Sequence, residues 1–145
     1  MRLSEDQFNE VFNLVPRLCV DACIRHEGEI FLAQRAIPPC MGMWHFPGGG
    51  VYVEETLEKA LVRNVQAETG LLVRSRRLLG YVEYPPPIAI RKTVALVFDC
   101  DIVGGLAYAG EGTAAVGFFD HVPTPTIDLV AQFIHEHELF EGIHV

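Results

Sequence analysis

Residues 49–71 read GGVYVEETLEKALVRNVQAETGL, and Pro47-Gly48 stands just before them. The glycine run lets the backbone turn sharply and come close to a ligand. Beyond it, Leu57, Ala60, Leu61 and Val65 recur at helical spacing, with Thr56 as N-cap and Gly70 where a helix ends. That helix puts Asn64 and Glu68 on one face at i, i+4, with Ala60 and Ala67 beside them. Glu55, just before the helix, is in reach of Arg63, and such a pair would lock the loop onto the helix. A loop held this way presents the Gly49 carbonyl to a cation. Mg²⁺ takes oxygen donors in octahedral geometry and keeps several waters. Glu68, the Gly49 carbonyl and phosphate oxygens therefore suffice for one ion. A plain amphipathic helix accounts for Leu57 to Val65. It explains neither the glycine run nor the spacing of Glu55, Arg63, Glu68 and Gly70.

Upstream, Ser4-Glu5-Asp6-Gln7 has the form of a capping box and predicts a helix to about Leu14, stopped by Pro16. Arg17 to Arg25 reads as a strand, with Leu18, Val20, Ala22 and Ile24 alternating against Cys19, Asp21 and Cys23. His26-Glu27-Gly28 is a turn, Glu29 to Ala33 a hairpin partner, Ile37 to Met43 a loop, and Val51 to Val53 a short strand. Downstream, Leu71 to Glu83 is a strand interrupted by Arg74 to Arg77. Tyr84-Pro85-Pro86-Pro87 is a rigid loop. Thr93 to Val103 and Val116 to Phe119 are further strands. Ile127 to His137 is a last helix, capped by Thr126 or Thr124. Strands and helices alternate irregularly with several hairpins. The fold class this predicts is α/β of the α+β type: one domain over residues 1–145, with a mixed sheet between helices.

Half of the 145 residues are hydrophobic, enough for a core without staples. The net charge of −8 argues against a general nucleic-acid surface. It also means that an anionic substrate must be held by local arginines and a bound cation. No run approaches the roughly 18 apolar residues of a membrane span. The start is polar and acidic, unlike a signal peptide. No membrane partner and a cytoplasmic location are expected. Cys19, Cys23, Cys40 and Cys100 match no zinc or redox spacing and read as buried thiols, although Cys19 and Cys23 share a face and could hold a metal.

The stretch from Gly49 resembles the signature of the Nudix hydrolases: a glycine, five residues, a glutamate, seven residues, then Arg-Glu-apolar-x-Glu-Glu-x-Gly-apolar. Gly49, Glu55, Arg63, Val65, Glu68, Gly70 and Leu71 match, as do Trp44 and Pro47-Gly48-Gly49 in the lead-in. Asn64 and Ala67 stand where the family has glutamates. The resemblance implies the Nudix fold and a divalent cation, Mg²⁺ or Mn²⁺, on the helix carboxylates. With two of three neutral, it implies a single-metal site on Glu68. One branch, the GDP-mannose mannosyl hydrolases, shows a similar reduction. Its pattern extends to LSEDQFNEVFNLVPRLCVDACI at the start, to Asp21 as a functional aspartate and to Arg35 as a functional arginine. In that branch water attacks the sugar carbon and a diphosphate departs. The positions of that branch's late-loop glutamine and histidine base are Gly112 and Thr113 here, so Glu111 is the nearest carboxylate for the base and His121 a further candidate.

Several residues carry two readings. Arg35 binds phosphate with its planar fork or pairs with Asp21. Tyr81 and Tyr84 edge a nucleoside pocket or lie at the surface. Trp44 and Phe46 stack a base or pack under the loop. Arg17, Arg91 and Lys92 touch phosphate or are solvated. His135 and His137 with Glu136 and Glu138 form a metal tail or a charged helix end. Val94 to Phe98 is core sheet or a dimer edge, and the resemblance leaves a homodimer open. Two functions are held side by side. One is a Mg²⁺-dependent hydrolase of a nucleoside diphosphate linked to another group, such as a nucleotide sugar. In it Glu68, Arg35, Asp21 and Glu111 carry catalysis, Arg35, Arg63 and Tyr81 hold substrate, and Gly49 and Glu68 hold metal. The other is a degenerate Nudix domain that binds a nucleotide or a protein and catalyses nothing.

Overall fold

Strand β1 (Arg17–His26) organises the molecule, and a computed structural model describes it within residues 2–140. Its alternation sends Val20, Ala22 and Ile24 to one face and Cys19, Asp21 and Cys23 to the other. Both faces are covered, so the six residues from Cys19 to Ile24 are all buried. On one side β1 runs parallel to β6 (Thr93–Gly105), with Arg17 to Ile24 opposite Thr93 to Cys100. On the other side its neighbour changes midway. Cys19 to Asp21 pair with Gly50 to Gly48 of β4 (Gly48–Gly50), and Ile24 to His26 pair with β2 (Glu29–Arg35). The strand order β3-β2-β1-β6-β5 is completed by β3 (Trp44–His45) and β5 (Leu71–Tyr84), while β7 (Thr113–Phe119) pairs with β2.

One helix packs on each face. Ala60, Leu61 and Val65 of α2 (Leu57–Thr69) meet Val20, Ala22, Ile24 and Phe31. Val130, Phe133 and Ile134 of α3 (Asp128–Glu136) meet Cys23, Ile30, Leu32, Phe46 and Val97. This is the mixed sheet between helices expected from the sequence. The first helix, α1 (Glu5–Phe12), has the expected capping box but buries no residue of its own. Arg17 lies over its Phe8 ring at 5.1 Å. No helix among the described residues is long and apolar enough to cross a membrane.

Some elements differ from expectation. The short strand is formed by the glycines Gly48–Gly50 and not by Val51 to Val53, because a Cβ would strike β1 at Gly48, the Asn64 side chain at Gly49 and the Arg17 side chain at Gly50. β5 is not broken at Arg74 to Arg77. Register shifts at Leu72/Val73, Ser75/Arg77 and Leu78/Gly80 absorb the irregular pattern, so pairing with β6 continues to Tyr84. α3 has no side-chain cap, since the Thr126 hydroxyl donates to the Pro123 carbonyl instead. Val94 to Phe98 lie between β1 and β5, so they are interior sheet and not an edge. The four thiols are free, with Cys19 and Cys23 both buried. No group of three His, Cys, Asp or Glu side chains among the described residues is arranged for a metal, the His135–Glu138 tail included. His137 stacks on Phe133 with ring centroids 3.8 Å apart.

Asp99, 2% exposed, accepts two hydrogen bonds from Arg25, at 2.9 and 2.8 Å, and Arg25 also donates to the Leu139 carbonyl at 3.1 Å. This fork ties β1, β6 and the segment after α3 together. Asp99→Asn keeps the volume but loses the charge-assisted pairing, and urea unfolding should show a loss of about 2 kcal/mol.

Candidate active site

The loop–helix lock forms as its residues suggest. Arg63 Nε donates to Glu55 Oε2 at 2.6 Å, and Nη2 donates to Glu55 Oε1 at 2.8 Å and to the Gly50 carbonyl at 2.9 Å. Arg63 holds the Glu55 carboxyl down at about 2, so this lock carries its charge through the whole neutral range. Asn64 adds to it by donating its amide to the carbonyls of Gly50, at 3.1 Å, and Ala60, at 2.9 Å. Arg63 thus fastens the loop, with its guanidinium 3.8 Å from the Tyr52 ring, and does not line the cavity beside Glu68.

Between this loop and the face of β1 that carries Asp21 lies a cavity of about 190 Å³. Nucleotide-sized ligands occupy roughly 300 Å³ or more, so part of any such ligand would lie outside. Glu68 lines the cavity and accepts the Gly48 N–H at 2.8 Å on Oε1. Burial pushes its carboxyl up to about 8, with the Asp21 and Glu111 charges adding and the Gly48 N–H and Arg35 opposing. Asp21, 8% exposed, is pushed up by burial to about 7 although the Tyr84 hydroxyl donates to it at 3.1 Å. Two carboxyls that share one low-dielectric cavity are each easier to ionise with a cation beside them. Gly49 also lines the cavity.

Arg35 also lines the cavity, but the expected Asp21–Arg35 pair is not formed. Asp21 is taken by Tyr84, and Arg35 Nε donates to the Pro39 carbonyl at 2.6 Å. Tyr81 is displaced from the site. It is 65% exposed, and strand alternation points it away from the face that carries Tyr84 and Asp21. Glu111 sits beside the site and not in its lining. The Tyr108, Gly110 and Glu111 N–H groups donate to the carbonyls of Thr69, Glu68 and Ala67 at 2.8, 2.8 and 3.0 Å. The late loop therefore caps the C-terminus of α2, where carbonyls lack helical partners. Trp44 packs edge-on to Phe119, and Phe46 is 1% exposed in the core. His121 is exposed and bonds Asp120.

Tyr84 and Tyr81 are equal candidates in the sequence, and the register shifts in β5 hide which of the two faces Asp21. Among the other lining residues, His45 has no site role expected from the sequence, and Cys19 only that of a buried thiol or of a metal pair with Cys23. Cys19 is a buried thiol pushed up to about 11 by burial. His45 is pushed down to about 3 by burial and by Arg35, so it is a neutral imidazole and a poor base. The alternation of β1 would have found Cys19, but nothing in the sequence shows that β3 turns His45 inward.

A NUDIX domain model matches residues 15–108. The chain belongs to the Nudix family. An ADP-ribose pyrophosphatase of Methanocaldococcus jannaschii is 36% identical over 107 residues, 74% of this chain and 63% of that protein. The low-salt glycan biosynthesis protein Agl8 of Haloferax volcanii is 39% identical over 83 residues, 57% of this chain and 53% of that protein. This Nudix chain therefore matches somewhat over half the length of these relatives. Among solved structures, a MutT NUDIX hydrolase from Burkholderia pseudomallei superposes with a TM-score of 0.72 at 28% identity, covering 83% of this chain and 97% of that one. The family generally works with divalent metals. The donors present here, two carboxyls and loop carbonyls, are all hard oxygens and suit such an ion. Asn64 and Ala67 add no charge to this donor set.

Proposed function

We propose that this Nudix domain is a Mg²⁺- or Mn²⁺-dependent hydrolase of a nucleoside diphosphate linked to another moiety, with ADP-ribose and nucleotide sugars as the first compounds to try. The observation that carries this reading is the Glu68 carboxyl, held by the Gly48 N–H and facing Asp21 and Arg35 in one cavity. Glu68 and the Gly49 carbonyl would hold the cation, which when bound offsets charge on the phosphate oxygens. Arg35 orients a phosphate oxygen. Asp21 is the better placed proton acceptor: it lines the cavity, and its carboxyl titrates near neutral pH, where a base works best. Glu111, outside the lining, acts on Glu68 through its charge and through the loop that caps α2. In hydrolysis the water oxygen bonds to carbon or phosphorus, its proton passes to Asp21, and the bond to the departing phosphate breaks.

The test is a panel of ADP-ribose, nucleotide sugars and nucleoside triphosphates in ¹⁸O-labelled water. Turnover of a diphosphate-linked compound is expected with Mg²⁺ or Mn²⁺ and none with chelator. Label in the sugar places the attack at carbon, and label in phosphate places it at phosphorus. A panel without any turnover sinks the hydrolase reading. A binding module that catalyses nothing is the second reading, favoured by Asn64, whose amide is spent on two backbone carbonyls. In that case calorimetry shows nucleotide binding that is indifferent to the cation.

A further inference from the structure

We propose that Arg17 and Arg91 form a second anion subsite in the same cavity, so that the ligand carries an anionic group besides its diphosphate. This rests on the reading of the Glu68 end as the diphosphate site. Arg25, Arg63, Arg74, Arg76 and Arg77 each have a carboxylate partner within 4.0 Å. The three arginines that line the cavity, Arg17, Arg35 and Arg91, have none among the described residues. In a chain with 19 acidic residues and a net charge of −8, leaving these three cations unpaired around one cavity reserves them for an anion that is not part of the fold.

Both arginines are held ready. Arg17 lies over the Phe8 ring at 5.1 Å, and its guanidinium lies against Gly50, where an added Cβ would stand 2.6 Å from Nη2. Arg91 donates to Asn9 Oδ1 at 3.2 Å and to the Ile90 carbonyl at 3.1 Å, and its buried Nε has no partner. Helix α1 thus holds this end of the cavity through Phe8 and Asn9. Gly50 pairs with Cys19, two residues along β1 from the rung of Gly48 and Asp21. At the strand rise this is ~7 Å. A diphosphate held at the Glu68 end would leave Arg17 and Arg91 to a further anionic group. That group is a third phosphate in the chain, or a carboxylate on the moiety beyond the diphosphate.

The experiment is calorimetry on the full chain with Ca²⁺ in place of Mg²⁺ to slow chemistry, with two pairs of probes. Tripolyphosphate against pyrophosphate reads a third phosphate, and UDP-glucuronate against UDP-glucose reads a carboxylate. In one pair the more anionic probe should bind about tenfold tighter, the gain that a charge-assisted hydrogen bond supplies. Arg17→Gln and Arg91→Gln should each remove that gain while the less anionic probe binds as before. Arg17→Lys, which keeps the charge, should retain part of it and controls for folding. Equal affinities within both pairs overturn the subsite, as does a gain that survives both glutamine variants. If pyrophosphate and UDP-glucose do not bind at all, the diphosphate reading itself fails and the subsite falls with it.

Discussion

Glu68→Gln is expected to remove cation-dependent turnover while making the cation-free protein more stable above pH 8. The glutamine carbonyl still accepts the Gly48 N–H, so the loop keeps its place. What disappears is the charge. Loss of even an outer partner of a metal ligand costs about 10–100-fold in affinity or activity, and the ligand itself should cost at least that much. The stability effect has the opposite sign. The Glu68 carboxyl is raised by burial from 4.5 to about 8 in the folded chain. Its protonated form therefore stabilises the fold fully below about 4.5, and that contribution is lost as pH rises through about 8. Glutamine never ionises and keeps it. Melting curves in chelator should coincide at pH 4 and separate by on the order of 10 °C at pH 9, with the variant higher. Addition of Mn²⁺ should raise the wild-type melting temperature at pH 8 and leave the variant unmoved. A variant that retains full turnover would remove Glu68 from the chemistry.

Gly48→Ala should damage both the fold and the site. A Cβ at Gly48 would meet the Val20 carbonyl and stand 2.5 Å from Asp21 Oδ1 and 2.8 Å from Asp21 Cα. Most of these atoms are backbone of the central strand, which β6 holds along its length and which cannot retreat. The glycine strand must move instead, taking the Gly48 N–H away from Glu68 and shifting Asp21. Overpacking of this kind costs about 1–3 kcal/mol, visible in urea unfolding. Nucleotide binding and turnover should fall by two orders of magnitude, the effect of misplacing a positioned group by about 1 Å. Gly49→Ala is the comparison. Its Cβ meets the Asn64 side chain, which can turn aside, so its unfolding midpoint should lie closer to wild type. Equal behaviour of the two variants would show that the close approach of β4 to β1 does not matter.

The helix of the site was legible because its signals are local. Thr56 caps it through the Lys59 N–H, Gly70 ends it in the left-handed conformation, and Glu55 meets Arg63 eight residues on. The glycine strand was misplaced by three residues, since Val51 to Val53 have the side chains of a strand and Gly48 to Gly50 have only the room for one. The Arg74 to Arg77 stretch of β5 was read as a break for a related reason. The extra residues Arg76 and Leu79 each reverse the alternation that marks a strand, and only the pairing partner in β6 shows that the strand continues.

By itself, the sequence determined the Nudix helix, the Glu55–Arg63 lock and the reduction to a single charged glutamate on the helix face, because all three depend on spacings within one short stretch. Tertiary structure decided which distant side chains share the cavity. Asp21 bonds Tyr84 and not Arg35, Tyr81 turns outward, and Arg17 and Arg91 join the wall without an acid partner among the described residues. These outcomes depend on strand register and on the point where β1 exchanges β4 for β2, and contacts across a sheet have no fixed separation along the chain.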